Sequence, residues 1–222
     1  VSLRELLARP NVEEILELRG EFGLMAPHGG ALEERTDLIA RAVAERTGAS
    51  YYGVHQPADL RWHLPSHRYT SEESPTLARF LGHVNVLVTL HGYGRKGYFT
   101  TILLGGGNRA LARHLAAPLR RALPAYVIED DAARIPHDLA GRHPTNPVNV
   151  PRHGGVQIEL PPRVRGSSPL WWDWEAPHPT PHTAALIDAL TEAVSTWSHG
   201  TVDPDDDQGA SRPISHPLSE RT

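Results

Sequence analysis

The chain has 222 residues, 39% of them hydrophobic, with a formal net charge of −4 and a pI near 6.4. It is long enough to bury a core of its own, and it lacks the basic surplus that marks a nucleic-acid binder. No apolar run approaches the roughly 20 residues of a membrane-spanning helix, and with no cysteine disulfides, thiolate metal sites and a cysteine nucleophile are excluded.

Any transition metal must therefore be held by His, Asp or Glu, and 14 histidines are available. Lys96 is the sole lysine among 22 basic residues, a bias that reads first as a GC-rich genome. The start of the chain lacks the basic-then-apolar pattern of a secretory signal. That slightly favours a cytoplasmic over a secreted protein, although a chain beginning at Val1 rather than Met leaves room for trimming.

The first twenty residues read as helix, with Leu3, Leu6, Leu7, Ile15, Leu16 and Leu18 apolar and Pro10 as a break. Residues 22–26 read as a short buried strand and Pro27-His28-Gly29-Gly30 as a turn. A helix over about 34–46 is closed by Gly48, and 49–54 is a second strand. Residues 55–75, rich in Pro, His, Trp and Ser, predict an irregular loop, followed by a short helix over 74–81. The apolar stretch 85–90 predicts a strand that ends at His91. Residues 98–104 form another strand, and Gly105-Gly106-Gly107-Asn108 leads into a helix over 109–122. That glycine run lacks the Lys-Ser/Thr ending of a P-loop and is expected to be a tight turn rather than an anion cradle. Strands follow at 126–128 and 156–160, separated by an irregular stretch over 132–151, and a last helix covers 183–197. The loop 167–181 carries Trp171, Trp172 and Trp174, read as packing residues, and the chain from 200 to 222 reads as a disordered tail. Strands alternating with helices predict one domain over 1–199, an α/β/α sandwich of three layers around a mixed, mostly parallel sheet. Its site belongs at the carboxyl ends of the strands.

Three strands run directly into polar groups at such ends: the first at His28, the second at His91, the third through Gln157 and Glu159. In the third, period-two geometry sets Gln157 and Glu159 on one face and Val156, Ile158 and Leu160 on the other. A carboxylate inside a short buried strand needs a partner, so something polar is expected opposite Glu159. His28 and Glu33 straddle a Gly-Gly turn that can fold both side chains toward one point. Zinc takes imidazole nitrogen and carboxylate oxygen, and catalytic sites use three protein ligands and leave one position open. Two ligands close in sequence with a distant third is a common arrangement, and His91 suits the third place. Taken singly, either histidine reads as a loop hydrogen-bonder, Glu33 as a helix N-terminal carboxylate, and Glu159 as an ion-pair partner of Arg152 or Arg163. The metal reading gains only because all four sit where such a sheet keeps its site.

At these residues the sequence resembles the phage-type poly-γ-glutamate hydrolase family, small single-domain zinc enzymes related in fold to carboxypeptidase A. The resemblance covers roughly 20–195. It is carried by His28-Gly29-Gly30-Ala31-Leu32-Glu33, by Leu90-His91-Gly92, and by Gly155-Val156-Gln157-Ile158-Glu159, approached through Asn146-Pro147-Val148-Asn149. Where the family has a His-Ile-Thr-Ser segment, this chain has His67-Arg68-Tyr69-Thr70-Ser71, which points to different substrate contacts there. The resemblance implies a carboxypeptidase-like fold, Zn2+ held by His28, Glu33 and His91, and Glu159 as general base for hydrolysis of γ-glutamyl amide bonds.

The implied partner is an anionic, peptide-like and polymeric substrate, met by a monomer with no nucleic-acid or membrane partner. Such a substrate asks for arginine, which pairs with carboxylates in bidentate fashion. Arg95, Arg152, Arg163 and Arg165 flank the motifs, although each reads equally well as surface charge. Asn149 is expected to donate to a substrate carboxylate or to the developing oxyanion. Competing expectations are a zinc amidase acting on peptidoglycan or N-acyl amino acids, and a non-catalytic binding protein on a hydrolase-like fold.

Overall fold

The computed structural model describes residues 2–166 and 179–198. Trp171, Trp172 and Trp174, and the expected tail, lie outside those residues. Seven strands form the sheet: β1 (Glu13–Glu17), β2 (Gly20–Gly30), β3 (Ala49–Gln56), β4 (Val86–Gly92), β5 (Thr101–Leu104), β6 (Val127–Glu129) and β7 (Gly155–Leu160). Their spatial order is β1-β3-β2-β4-β7-β5-β6. β1 runs antiparallel to β3 and β5 antiparallel to β7, and the remaining pairs are parallel. The expected mixed, mostly parallel sheet is therefore present.

Among the described residues six α-helices cover it: α1 (Leu3–Leu7), α2 (Thr36–Thr47), α3 (Pro75–His83), α4 (Arg109–Ala122), α5 (Pro162–Arg165) and α6 (Pro181–Thr196). Strand alternation sorts the core into two layers. Leu24, Val86, Val88, Leu90, Val156, Ile158 and Leu160 pack with α2, α4 and α6. Met25, Tyr52, Val54 and Leu87 pack with α1 and α3 on the other side. Each such side chain, fully buried, contributes roughly 1.5–3 kcal/mol. Alternation therefore places Thr89 and His91 of β4, and Gln157 and Glu159 of β7, on the α1/α3 side.

The first twenty residues depart from expectation. Only Leu3–Leu7 is helical there, and Glu13–Glu17 is an edge strand paired with β3. The adjacent Ile15 and Leu16 reach opposite layers, a period of two, and Asn11 turns the chain with φ of 60° just after Pro10. The glycine run over 105–107 is a tight turn as expected. Gly105 donates its N–H to Gln157 O, Gly106 to Ala140 O and Gly107 to Asn149 Oδ1, so these amides are spent within the protein. Asn108 Oδ1 caps α4 by accepting from Leu111 N–H at 2.8 Å.

Candidate metal centre

The strand order reverses between β2 and β4: β3 lies to one side of β2, and the chain returns to place β4 on the other. Parallel sheets open a crevice at such a point, beyond the carboxyl ends of the strands. His28 and His91 stand on its two sides. The pairing of β2 with β3 runs Ala26↔Gly53 and then Gly29↔His55, so three steps along β2 match two along β3. This bulge falls at Pro27, which has no N–H to offer the ladder. It carries His28 to the α1/α3 side, where the ring lies 5.0 Å from His91 and 5.7 Å from Tyr69, centroid to centroid. Tyr69 Oη donates to Pro27 O at 2.7 Å and pins the bulge.

Glu33 comes to the same point from the loop before α2. Gly30 starts that loop with φ of 70° and lies against the Gln56 backbone, where a Cβ would meet Gln56 O at 2.4 Å. No larger residue fits there. Glu33 N–H then donates to His28 O at 2.9 Å, and Thr36 Oγ1 donates to Glu33 O at 2.8 Å. Helix α2 has no side-chain cap, and the carboxylate is engaged with the histidines and Gly92. Its Oε1 lies 2.7 Å from His28 Nδ1; its Oε2 accepts from Gly92 N–H at 2.8 Å and lies 3.4 Å from His91 Nδ1. Burial alone would raise the Glu33 carboxyl, but the charges and hydrogen bonds of His28 and His91 outweigh it and hold it well below the usual carboxylate range. His91, fully buried, is raised: desolvation works against its charged form, and Glu33 and then Glu159 more than offset that.

The hydrogen bonds of His28 fit a metal ligand as well as a protonated imidazole paired with Glu33. Its Nε2 lies 2.8 Å from the Leu64 carbonyl, which can only accept, so Nε2 carries a proton. A neutral ring then turns the Nδ1 lone pair toward Glu33 Oε1. Two acceptors at that distance are stable only with a cation between them, either a proton or a metal. One donor atom from each of His28, Glu33 and His91 lies within 4.8 Å of the others, and no other such cluster occurs among the described residues. Two imidazoles and a carboxylate suit zinc or a neighbouring divalent metal. A second-sphere carbonyl on the outer nitrogen of a ligating histidine is the usual way its tautomer is fixed.

Glu159 stands next to this cluster because β4 and β7 pair in register His91↔Glu159. Its Oε1 accepts from Gln157 Nε2 at 2.8 Å, and Gln157 Oε1 in turn accepts from Asn146 Nδ2 at 2.8 Å. Burial pushes the Glu159 carboxyl up to about 7, although His91 pulls the other way. The polar partners expected opposite Glu159 are thus Gln157 and His91.

These side chains form the floor of a cavity of about 790 Å³. Its walls include His63, Ser66, His67, Tyr93, His137, Asp138, Arg142, His143 and Asn146. The three expected substrate contacts are not among its lining residues. Asn149 is held in the backbone scaffold, donating to Gly141 O and His143 O and accepting from Gly107 N–H. It lines a separate hollow beside the glycine turn. Arg95 pairs with Asp138, itself a residue of the wall, and Arg152 is exposed. Sequence reading missed the histidines of the wall. Their signal was compositional: both irregular stretches, 55–75 and 132–151, are rich in histidine.

The family model described as poly-gamma-glutamate hydrolase matches residues 6–168. The chain belongs to this family. The SPbeta prophage-derived UPF0714 protein YoqZ of Bacillus subtilis (strain 168) is 27% identical to it over 140 residues, which are 62% of this chain and 47% of YoqZ. The chain thus spans about half the length of that curated relative. A bacteriophage poly-gamma-glutamate hydrolase shares the poly-gamma-glutamate hydrolase fold at TM-score 0.71 and 22% identity, over 85% of this chain and 91% of that one. The zinc-free apo form of YNDL does so at TM-score 0.69 and 21% identity, over 84% and 90% of the two chains. A Burkholderia mallei protein assigned as a carboxypeptidase matches at TM-score 0.51 and 12% identity, over 88% of this chain and 66% of its own. The α/β architecture of this family member is therefore carboxypeptidase-like.

Proposed function

We propose that this protein is a zinc-dependent amide hydrolase that cleaves γ-glutamyl bonds of poly-γ-glutamate. The observation that carries the reading is the meeting of His28, Glu33 and His91 within 4.8 Å at the floor of a large cavity, with Glu159 in register beside His91. His28 and Glu33 would hold the ion together with His91. When bound, zinc supplies a Lewis acid for the scissile carbonyl and lowers the pKa of a coordinated water. Zinc is named over other divalent metals because the ligand set suits it and because YNDL, a protein of the same fold, has a form described as zinc-free.

Glu159 acts as the general base. Gln157 occupies its Oε1, which leaves Oε2 to take a proton from the attacking water and return it to the leaving amine. Burial pushes its carboxyl up in the metal-free protein, and a bound dication would pull it back toward the ionised form that a base needs.

The cavity wall favours an anionic substrate. Arg142, His67, His137 and His143 line it, while Glu33 and Glu159 are engaged at the floor and Asp138 is paired with Arg95. His143 Nδ1 accepts from Thr145 N–H at 3.2 Å, so its proton sits on Nε2 and is available to a carboxylate. A polymer bearing one carboxylate per unit complements these donors.

Metal analysis of the wild type beside His28→Ala, with hydrolysis assays on poly-γ-glutamate, muropeptides and N-acylglutamates, tests the reading. Stoichiometric zinc in the wild type, its loss in the variant, and turnover of poly-γ-glutamate are expected. Turnover of muropeptides or N-acylglutamates alone would move the substrate to another amidase class, and a wild type without stoichiometric metal would end the hydrolase mechanism.

A further inference from the structure

Arg165 is the fourth residue of α5 and is buried, with 6% of its surface exposed. By sequence it stands among the arginines available for substrate carboxylates, yet it is absent from the lining of the cavity. Its bonds run to main chain. Nε donates to Leu160 O at 3.1 Å, and Nη1 donates to Glu34 O. Leu160 O also accepts from Tyr93 N–H at 3.1 Å. The guanidinium lies against Gly92, where a Cβ would come within 2.7 Å of Cζ and 3.0 Å of Nε. Gly92 is the residue whose N–H holds Glu33 Oε2.

The backbone that carries Arg165 is itself fixed. Val164 O accepts from Thr183 Oγ1 of α6 at 2.9 Å, and Gly166 closes α5 with φ of 72°. One planar group therefore touches three segments: Glu34 beside Glu33, Gly92 beside His91, and Leu160 beside Glu159. Arginine suits this place because its donors form a rigid fork and its charge is permanent. The glycine after His91 also gains a reason, since any side chain there collides with the fork.

We propose that Arg165 is a positioning residue of the metal centre, a buried clamp that sets the spacing of Glu33, His91 and Glu159 by tying the carbonyls of Glu34 and Leu160 across Gly92. This inference rests on the metal reading above. A clamp of this kind acts through the ligands and does not touch substrate. Outer-sphere partners of metal ligands typically account for about 10- to 100-fold in metal affinity or activity.

The test uses the full chain with Arg165→Met, Arg165→Lys and Gly92→Ala. Zinc affinity is read by chelator competition and centre geometry by the visible absorption of the cobalt-substituted protein, both without substrate. Steady-state kinetics on poly-γ-glutamate complete it, with thermal unfolding as the check on folding. Arg165→Met is expected to weaken zinc about 10- to 100-fold, shift the cobalt spectrum and lower kcat with KM unchanged. Arg165→Lys keeps the charge without the fork and is expected to behave like Arg165→Met. Gly92→Ala displaces the guanidinium and should give the same spectral change, with the double variant Gly92→Ala/Arg165→Met no worse than the poorer single one.

A folded Arg165→Met with wild-type zinc affinity and cobalt spectrum overturns the proposal. So does restoration of both by lysine, which would make charge alone the cause. A rise in KM at constant kcat overturns it as well, by making Arg165 a substrate contact. Should Arg165→Met not fold, Gly92→Ala and Arg165→Lys decide on the same readouts. A wild type without zinc removes the proposed function and this inference together. A zinc-loaded wild type beside indifferent variants removes this inference alone.

Discussion

Gln157 Nε2 and Glu159 Oε1 are 2.8 Å apart, two residues along β7 and on the same face of the strand. The amide donates to the proposed base on one side and is itself held by Asn146 on the other. Replacing Gln157 with Leu keeps the volume and strands both neighbours. Each unsatisfied buried group costs roughly 1–3 kcal/mol, so with two stranded, urea unfolding should show a loss of roughly 2–6 kcal/mol. Turnover should also fall while zinc content, measured by metal analysis, holds. Loss of the metal together with turnover would mean that the relay supports the ligands rather than the base.

Glu159→Gln separates proton transfer from metal binding. The variant is expected to retain stoichiometric zinc with kcat down on the order of 10²–10⁴-fold. A variant that no longer binds zinc would make Glu159 a ligand.

The raised Glu159 carboxyl gives the zinc-free protein a defined pH dependence. Its folded pKa of about 7 lies above the ordinary value of 4.5, so between those limits the folded state holds a proton that the unfolded state has released. Stability from this group is complete below the unfolded value and is lost as pH rises through the folded one. The slope should appear between about pH 4.5 and 7 and amount to roughly 3 kcal/mol over that window. Denaturant melts of chelated wild type and Glu159→Gln check it: the difference between them should shrink toward low pH and grow toward pH 8, and a constant difference would refute it.

His143→Ala and Arg142→Ala remove donors from the cavity wall without touching the floor. A hydrogen bond to a charged group is worth roughly 1.5–3 kcal/mol, so each should raise KM on poly-γ-glutamate about 10-fold or more with kcat nearly unchanged. On a substrate whose carboxylates are amidated the effect should disappear. An equal loss on both substrates would show that these side chains shape the wall rather than read charge.

The parts legible in the sequence were those with local causes. Alternation in 155–160 places Gln157 and Glu159 together, whereas the turn expected over 27–30 is strand, since Gly29 and Gly30 still pair with β3 and the turn that returns Glu33 begins only at Ala31. The same alternation, read as helical spacing, misplaced 13–17, because an adjacent Ile15 and Leu16 fit either period until both faces of the sheet are known to be covered. The hydrogen-bond partners of Asn149 and Arg165 were not legible. Whether an amide or a guanidinium meets substrate or main chain depends on which carbonyls tertiary packing brings near, here Gly141 and His143 for one and Glu34 and Leu160 for the other. His63, His67, His137 and His143 reach the cavity from loops whose paths no periodicity encodes.

The bulge at Pro27 has a consequence for how such centres come and go. Strict alternation from Leu24 and Ala26 would send His28 into the layer of α2, α4 and α6, away from His91. One surplus residue, contributing no ligand, reverses that. An insertion or deletion of a single codon at this point leaves composition and core almost untouched, yet it decides whether the imidazole joins its partners. In this chain, then, whether His28 meets His91 is decided by chain length as well as by side-chain chemistry.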